Sequence, residues 1–331
     1  MRQLTLFMQY SIALTATASA DDQLRPSDND RELKKWLQNM LWYHGFWFKE
    51  IEQVTGLGEE KIQLKLKQFD IRSENRPARP KERLLMLPYP GGRHPRIGFL
   101  EGAIEPQSET KLSVFCPWDD HSYVVLNLPE AIWSDLGLTY LAHTHIDTVR
   151  TQQRIELDKL EWKSTKDGSF EMVRHLPNGI EFGMLDIAKR DHIAIEMWLK
   201  NGTDKKLTDL RVQSCAMLKA ADGFEEQTNA NKVFDRGYAM ANAAIPGSTK
   251  KRWIITAWDP VHRTWANDKC PCLHPNPSLK TARPVKPSVS AAGSLSTKAP
   301  TFAAKLIASK PPIGASRRAD SRGHSFQFGP V

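Results

Sequence analysis

No stretch of the 331-residue chain reaches the roughly eighteen consecutive apolar residues that a membrane-spanning helix needs. A helical membrane span is therefore not expected. Cysteine is scarce: Cys116, Cys215, Cys270 and Cys272 are the whole supply, enough for two disulfides. The strong catalytic strings are also missing. No G-x-S-x-G supports a Ser-His-Asp hydrolase, and Gly91-Gly92 lacks the Lys-Ser/Thr and the strand-loop-helix setting of a phosphate loop. There is no internal repeat. Acid is nearly absent from the C-terminal end, where Asn276 to Val331 carry nine basic residues and only Asp320 against them.

That last absence decides what the net charge of +8 means. Outside those last 56 residues the chain holds 37 basic and 37 acidic residues, so the body is neutral. A basic nucleic-acid-binding body is excluded, and no nucleic-acid partner is expected. A hydrophobic content of 40% and a charged content of 25% are globular values, and ten Trp can support a sizeable core.

The N-terminus has a short positive region at Arg2, a mostly apolar stretch from Leu4 to Ala16, and Ala18-Ser19-Ala20 as a small-x-small cleavage site. This layout predicts a secretory signal peptide over 1–20 and a secreted or periplasmic protein. Export would favour disulfides over free thiols. Of the three pairings open to four cysteines, Cys270 and Cys272 are each expected to join one of Cys116 and Cys215, because closure between residues two apart is strained.

A polar leader over 21–30 precedes a helical cap over 31–75. Asp30 is placed to cap a first helix carrying Leu33, Trp36, Leu37, Met40 and Leu41. A second helix over Phe48–Val54, the turn Thr55–Gly58 and a third helix over Glu59–Phe69 make the unit helix-turn-helix-like. Its third helix lacks Arg for guanine edges, so a packed cap is the expected role. After Arg76–Pro80 the apolar period changes to two. Runs at Leu84–Leu87, Leu112–Cys116, Tyr123–Leu128, Leu138–Ala142, Ile155–Trp162, Phe170–Leu176, Ile180–Ile187, Ile193–Leu199, Leu207–Leu218 and Trp253–Trp258 read as strands. With the turns Lys166-Asp167-Gly168, Pro177-Asn178-Gly179 and Asn201-Gly202, they predict a large antiparallel β-sandwich over 80–275. Composition predicts a disordered tail over 276–331. An alternative is a shifted reading frame after about Lys280: with permitted codons and two bases dropped, that stretch reads as an alternating strand with an aromatic pair.

Chemistry is offered at four places. His143, His145 and Asp147 lie two apart, so on a strand they would converge on one divalent metal. The string resembles the H-x-H-x-D-H motif of metallo-β-lactamase-type hydrolases, but Thr148 stands where the last His belongs and no downstream segment supplies a third ligand. Cys270-Pro271-Cys272-Leu273-His274 offers two sulfurs and an imidazole, although the spacing is not a usual zinc pattern. The rigid loop over 88–96 presents Arg93, His94 and Arg96 to a carboxylate, phosphate or sugar. The segment over 258–265 crowds Trp258, His262 and Trp265, whose indoles suit sugar faces.

Tyr89-Pro90-Gly91-Gly92-Arg93-His94-Pro95-Arg96-Ile97-Gly98-Phe99, Asn229–Phe234 and Thr256-Ala257-Trp258 through His274 resemble a family of secreted bacterial proteins of planctomycete type. That resemblance covers about 31–275 and implies no established activity. The hairpin around Glu196–Gly202 and Leu207–Leu210 is similar to those of galactose-mutarotase-like β-sandwiches. This second resemblance implies general acid-base work on a sugar by His and acidic side chains, for which His94, His143 and Glu105 are the candidates. The leading expectation is recognition of, or action on, a carbohydrate or other small polar ligand, with no cofactor. A metal-dependent hydrolase and a cell-surface interaction protein are the alternatives.

Overall fold

The computed structural model describes residues 24, 25, 27, 29–96, 111–142, 146–278 and 281–284, and the backbone of 302–305. Three α-helices open the described chain: α1 Asp30–Gln38, α2 Phe48–Thr55 and α3 Glu59–Phe69. Asn29, not Asp30, caps α1, its side chain accepting from the Glu32 N–H at 3.0 Å. Asp30 instead sits in the first turn, where an acid suits the helix dipole. A π-helical turn, Asn39–Tyr43, extends α1. Gly56 ends α2 at a φ of 68°. Leu33, Trp36, Leu37, Met40, Ile51, Val54 and Ile62 close a separate small core inside this cap.

The strands follow in chain order: β1 Met86–Pro88, β2 Lys111–Phe115, β3 Tyr123–Ser134, β4 Gly137–Leu141, β5 Lys163–Ser164, β6 Phe170–His175, β7 Ile180–Ala188, β8 Ile193–Asn201, β9 Arg211–Met217, β10 Lys232–Asp235, β11 Tyr238–Ala244, β12 Lys251–Asp259, β13 Val261–Trp265, β14 Cys272–Pro277 and β15 Phe302–Lys305. They make two antiparallel sheets. The first runs β1-β2-β3-β9-β14-β13 with β4 also on β3, and the second runs β10-β11-β12-β15-β8-β7-β6-β5. The fold is mainly β, as the period-two patterning requires. Leu112, Val114, Val124, Leu126 and Val212 from the first sheet face Phe182, Met184, Ile195, Met197, Ile254 and Trp258 from the second across one core. Among the described residues no helix is long and apolar enough to cross a membrane.

Two stretches differ from the pattern. Ile155–Trp162 forms no strand: Leu157, Leu160 and Trp162 lean on the core from irregular backbone, while Glu161 binds the buried Arg25 at 2.6 Å. Alternating apolar residues only signal one covered face, and a coil draped over a sheet edge satisfies that as well as a strand does. At the other end, β14 carries the ladder through Asn276 and Pro277, Ala282 bridges Leu207, and β15 lies between β8 and β12.

The first sheet is covered on its outer face too. Tyr89, Phe115, Tyr123, Val125 and Met217 form a second apolar layer there, and the cap sits against it. His44 from the cap reaches Ser113 Oγ at 2.8 Å and stacks edge-on against Tyr123 and Phe115. Burial pushes its pKa down to about 3, so it packs as a neutral ring. The Gly91-Gly92 pair owes its composition to this docking. Gly92 has a φ of +70°, and a Cβ there would lie 2.5 Å from Val54 Cγ2 and 2.8 Å from the Glu50 carbonyl oxygen. Gly92→Ala is expected to destabilise the protein by roughly 2 kcal/mol or more, from left-handed strain plus a displaced helix. Urea unfolding reads this directly, and a variant as stable as its parent would contradict the close approach.

Candidate metal centre

Side-chain parity on the first sheet builds the site. Tyr123 and Val125 face outward on β3, so Asn127 does too, and its cross-strand partners are Lys111 on β2 and Cys215 on β9. Cys272 pairs with Met217 and Leu273 with Ala216, which carries the register on to place His274 opposite Cys215. His274 in turn pairs with Trp265 on β13. One row of the outer face therefore reads Lys111, Asn127, Cys215, His274, Trp265, and its first four members are at most 4% exposed. A polar row inside an otherwise aromatic layer needs internal partners, because each buried polar group left unmatched costs about 1–3 kcal/mol.

Those partners converge on His274. Its Nε2 lies 3.2 Å from Cys272 Sγ. Its Nδ1 is 3.0 Å from the Ser214 carbonyl oxygen and 3.4 Å from Glu130 Oε2. Trp265 stacks on the ring at a centroid distance of 4.0 Å and an interplanar angle of 8°. Glu130 also pairs with the Arg96 guanidinium and accepts from Gln213 Nε2 at 2.6 Å. Burial alone would lower the His274 pKa, but its bonds to Cys272 and Glu130 outweigh this and raise it to about 9. The neighbouring Cys215 thiol and the His274 contact hold Cys272 well below the ordinary thiol range. Burial, and then the nearby Cys272 sulfur, push Cys215 up.

Cys215 Sγ, Cys272 Sγ and a His274 ring nitrogen all lie within 4.8 Å of one another. Ligands about 2.0–2.3 Å from a tetrahedral zinc are spaced by roughly 3.5 Å, so small rotamer adjustments would close the set. The chemistry of the donors fits as well: two sulfurs and one imidazole are a known zinc set, and an outer carboxylate or carbonyl on Nδ1 turns Nε2 toward the ion. A second trio, Asp119, His121 and Asp222, is more exposed, and the Asp119 carboxylate is already taken by Ser122 and the His121 N–H.

The residues singled out from sequence fall in several places. Arg96 belongs to the buried network. Its backbone N–H donates to His94 Nδ1 at 3.1 Å, so His94 shapes the loop that delivers it. Arg93 clamps the cap, bonding Glu50 at 2.6 and 2.7 Å, the His44 and Gly45 carbonyls and Tyr123 Oη. Trp258 is in the sandwich core, 3% exposed, whereas Trp265 joins the site and His262 is exposed on β13. Loops 88–96 and 258–265 thus share the centre only through Arg96 and Trp265. The strand expected to hold His143, His145 and Asp147 ends at Leu141, and Asp147 is exposed, accepting from Thr151 Oγ1 at 3.3 Å. His143, His145 and Glu105 lie outside the described residues, as does 1–20. Ala142, the residue before His143, donates its N–H to the Glu130 carbonyl at 2.8 Å.

The four cysteines are free thiols. Cys116 faces the sandwich core while Cys215, Cys270 and Cys272 share the opposite face, so the expected bridge to Cys116 has no path through the sheet. Glu130 was not singled out from sequence, and Cys215 only as a disulfide partner. The usable signal was parity, since both are polar or thiol residues on outward positions of buried strands. No family model matches the chain, and no curated protein and no solved structure matches it either.

Proposed function

We propose that the chain is a metalloprotein that holds a divalent thiophilic ion of the zinc class on Cys215, Cys272 and His274. The observation that carries this is the meeting of three ligand atoms within 4.8 Å on neighbouring strands, in a buried row with a carboxylate behind the imidazole. Three protein ligands are the count of hydrolytic rather than purely structural zinc sites, and a bound ion would supply Lewis-acid activation of water. The residues' own part is to orient. Glu130 and Ser214 fix the His274 ring, Trp265 fixes its plane, and Arg96 holds Glu130. This keeps the metal-dependent hydrolase reading and moves its ligands from the His143 strand to the Cys272 strand.

Metal content of the purified full chain tests it. One zinc per chain is expected, lost in Cys272→Ser and His274→Ala and retained in Asp147→Ala. Less than stoichiometric metal after zinc loading would end this reading, and loss in Asp147→Ala with retention in Cys272→Ser would return it to the other strand.

Recognition of a carbohydrate at the same face is a second reading, favoured by one observation. The Trp265 indole touches both His274 and Arg263, which is exposed beside His262. A glycan array showing hits weakened by Trp265→Ala would support it. An array without hits would count against it.

A further inference from the structure

Cys215 and Cys272 stand on neighbouring antiparallel strands, on the same face as a diagonal pair two residues out of register, with their sulfurs within 4.8 Å of each other. Both are buried, at 1% and 2% exposure, between the aromatic layer and His274. The other two thiols are poorer partners. Cys116 points into the opposite core. Cys270 lies in the turn two residues before Cys272, where closing a bridge would strain the backbone.

We propose that Cys215 and Cys272 are a reversible dithiol–disulfide pair, and that oxidation of this pair removes two of the three metal ligands, so that metal occupancy follows the redox state of the chain. The inference rests on the metal reading for its consequence but not for the pairing itself. The oxidant class is a small peroxide able to enter a buried layer. One sulfur takes an oxygen from hydrogen peroxide, the O–O bond breaks, one water leaves and a sulfenic acid remains. The second sulfur then attacks the first, the S–O bond breaks, the S–S bond forms and another water leaves. Two thiols and one peroxide give one disulfide and two waters, two electrons passing from sulfur to oxygen. Bridging needs the sulfurs to close from within 4.8 Å to the roughly 2.05 Å of a disulfide, by side-chain rotation together with a local shift of the two strands at this diagonal pair. A thiol reductant reverses it.

The test uses the full chain, metal-stripped and zinc-loaded in parallel, treated with one equivalent of hydrogen peroxide. Non-reducing peptide mapping of the stripped chain is expected to show loss of two hydrogens and a single cross-link joining the Cys215 and Cys272 peptides, unchanged in Cys116→Ser and Cys270→Ser. The loaded chain is expected to release its zinc in step with the cross-link, read with a chromophoric chelator, and to regain it after reduction. A cross-link to Cys270 or Cys116, or none at all, overturns the inference while leaving a zinc-loaded centre intact. If the chain cross-links as expected but never loads zinc, the pairing stands and the metal reading fails.

Discussion

Glu130→Ala is expected to destabilise the chain by about 3–5 kcal/mol, the range for removing one partner from a buried ion pair. The size follows from where the carboxylate sits. Glu130 and Arg96 have side chains only 5% and 7% exposed, so neither charge can be hydrated in the other's absence. Gln213 would lose its acceptor at 2.6 Å as well, and His274 the carboxylate beside its Nδ1. Denaturant unfolding measures the loss, and an alanine variant within about 1 kcal/mol of the parent would show that Arg96 finds water or another anion.

The double replacement Arg96→Met with Glu130→Met separates stability from metal holding. Swapping a buried pair for apolar side chains of similar volume is often neutral or stabilising. The double variant should therefore recover much of what the single one loses. It should not recover metal affinity, because a ligating histidine stripped of its outer carboxylate typically loses 10–100-fold. Recovery of both would mean the pair is architectural and Ser214 alone orients the ring.

How much of this was legible in the sequence differs by level. The helices were, because caps and turns are local: Gly56, Gly58 and the acids at Glu59 and Glu60 place the two short helices without reference to anything else. The strand Ile193–Asn201 was equally plain, since one of its faces meets a core and the other does not. Ile155–Trp162 was misread because covering a sheet edge and lying in a sheet leave the same alternation. The first sheet hid more. Both its faces are covered, so β3 is buried almost throughout and its burial does not tell one face from the other.

That double covering is also why the site was only half legible. Cys270-Pro271-Cys272-Leu273-His274 is contiguous and could be noticed, but its third ligand and its carboxylate arrive on other strands. Cys215 lies within the strand run Leu207–Leu218, and only the pairing of β9 with β14 shows that it faces His274. Trp258 failed in the opposite sense: aromatic company suggested a binding loop, whereas its place on β12 with Ile254 aims it into the core.

The same parity turns one carboxyl inward, with a consequence for pH. Asp186 lies on β7 between Phe170 and Ile195, fully buried, with neither carboxylate oxygen hydrogen-bonded among the described residues. Burial alone pushes its pKa well above the ordinary value. The native chain thus holds a proton that the unfolded chain releases near pH 4. Because the folded state binds the extra proton, this group's contribution is fully favourable below that pH and is lost as pH rises toward the native pKa, by about 1.4 kcal/mol per unit. Asp186→Asn keeps the size and removes the titration. It is expected to match the parent's stability near pH 4 and exceed it increasingly from pH 5 to 8, in urea unfolding followed at each pH. Profiles that stay parallel across that window would mean that the native carboxyl ionises freely, and that water or an unseen donor reaches it.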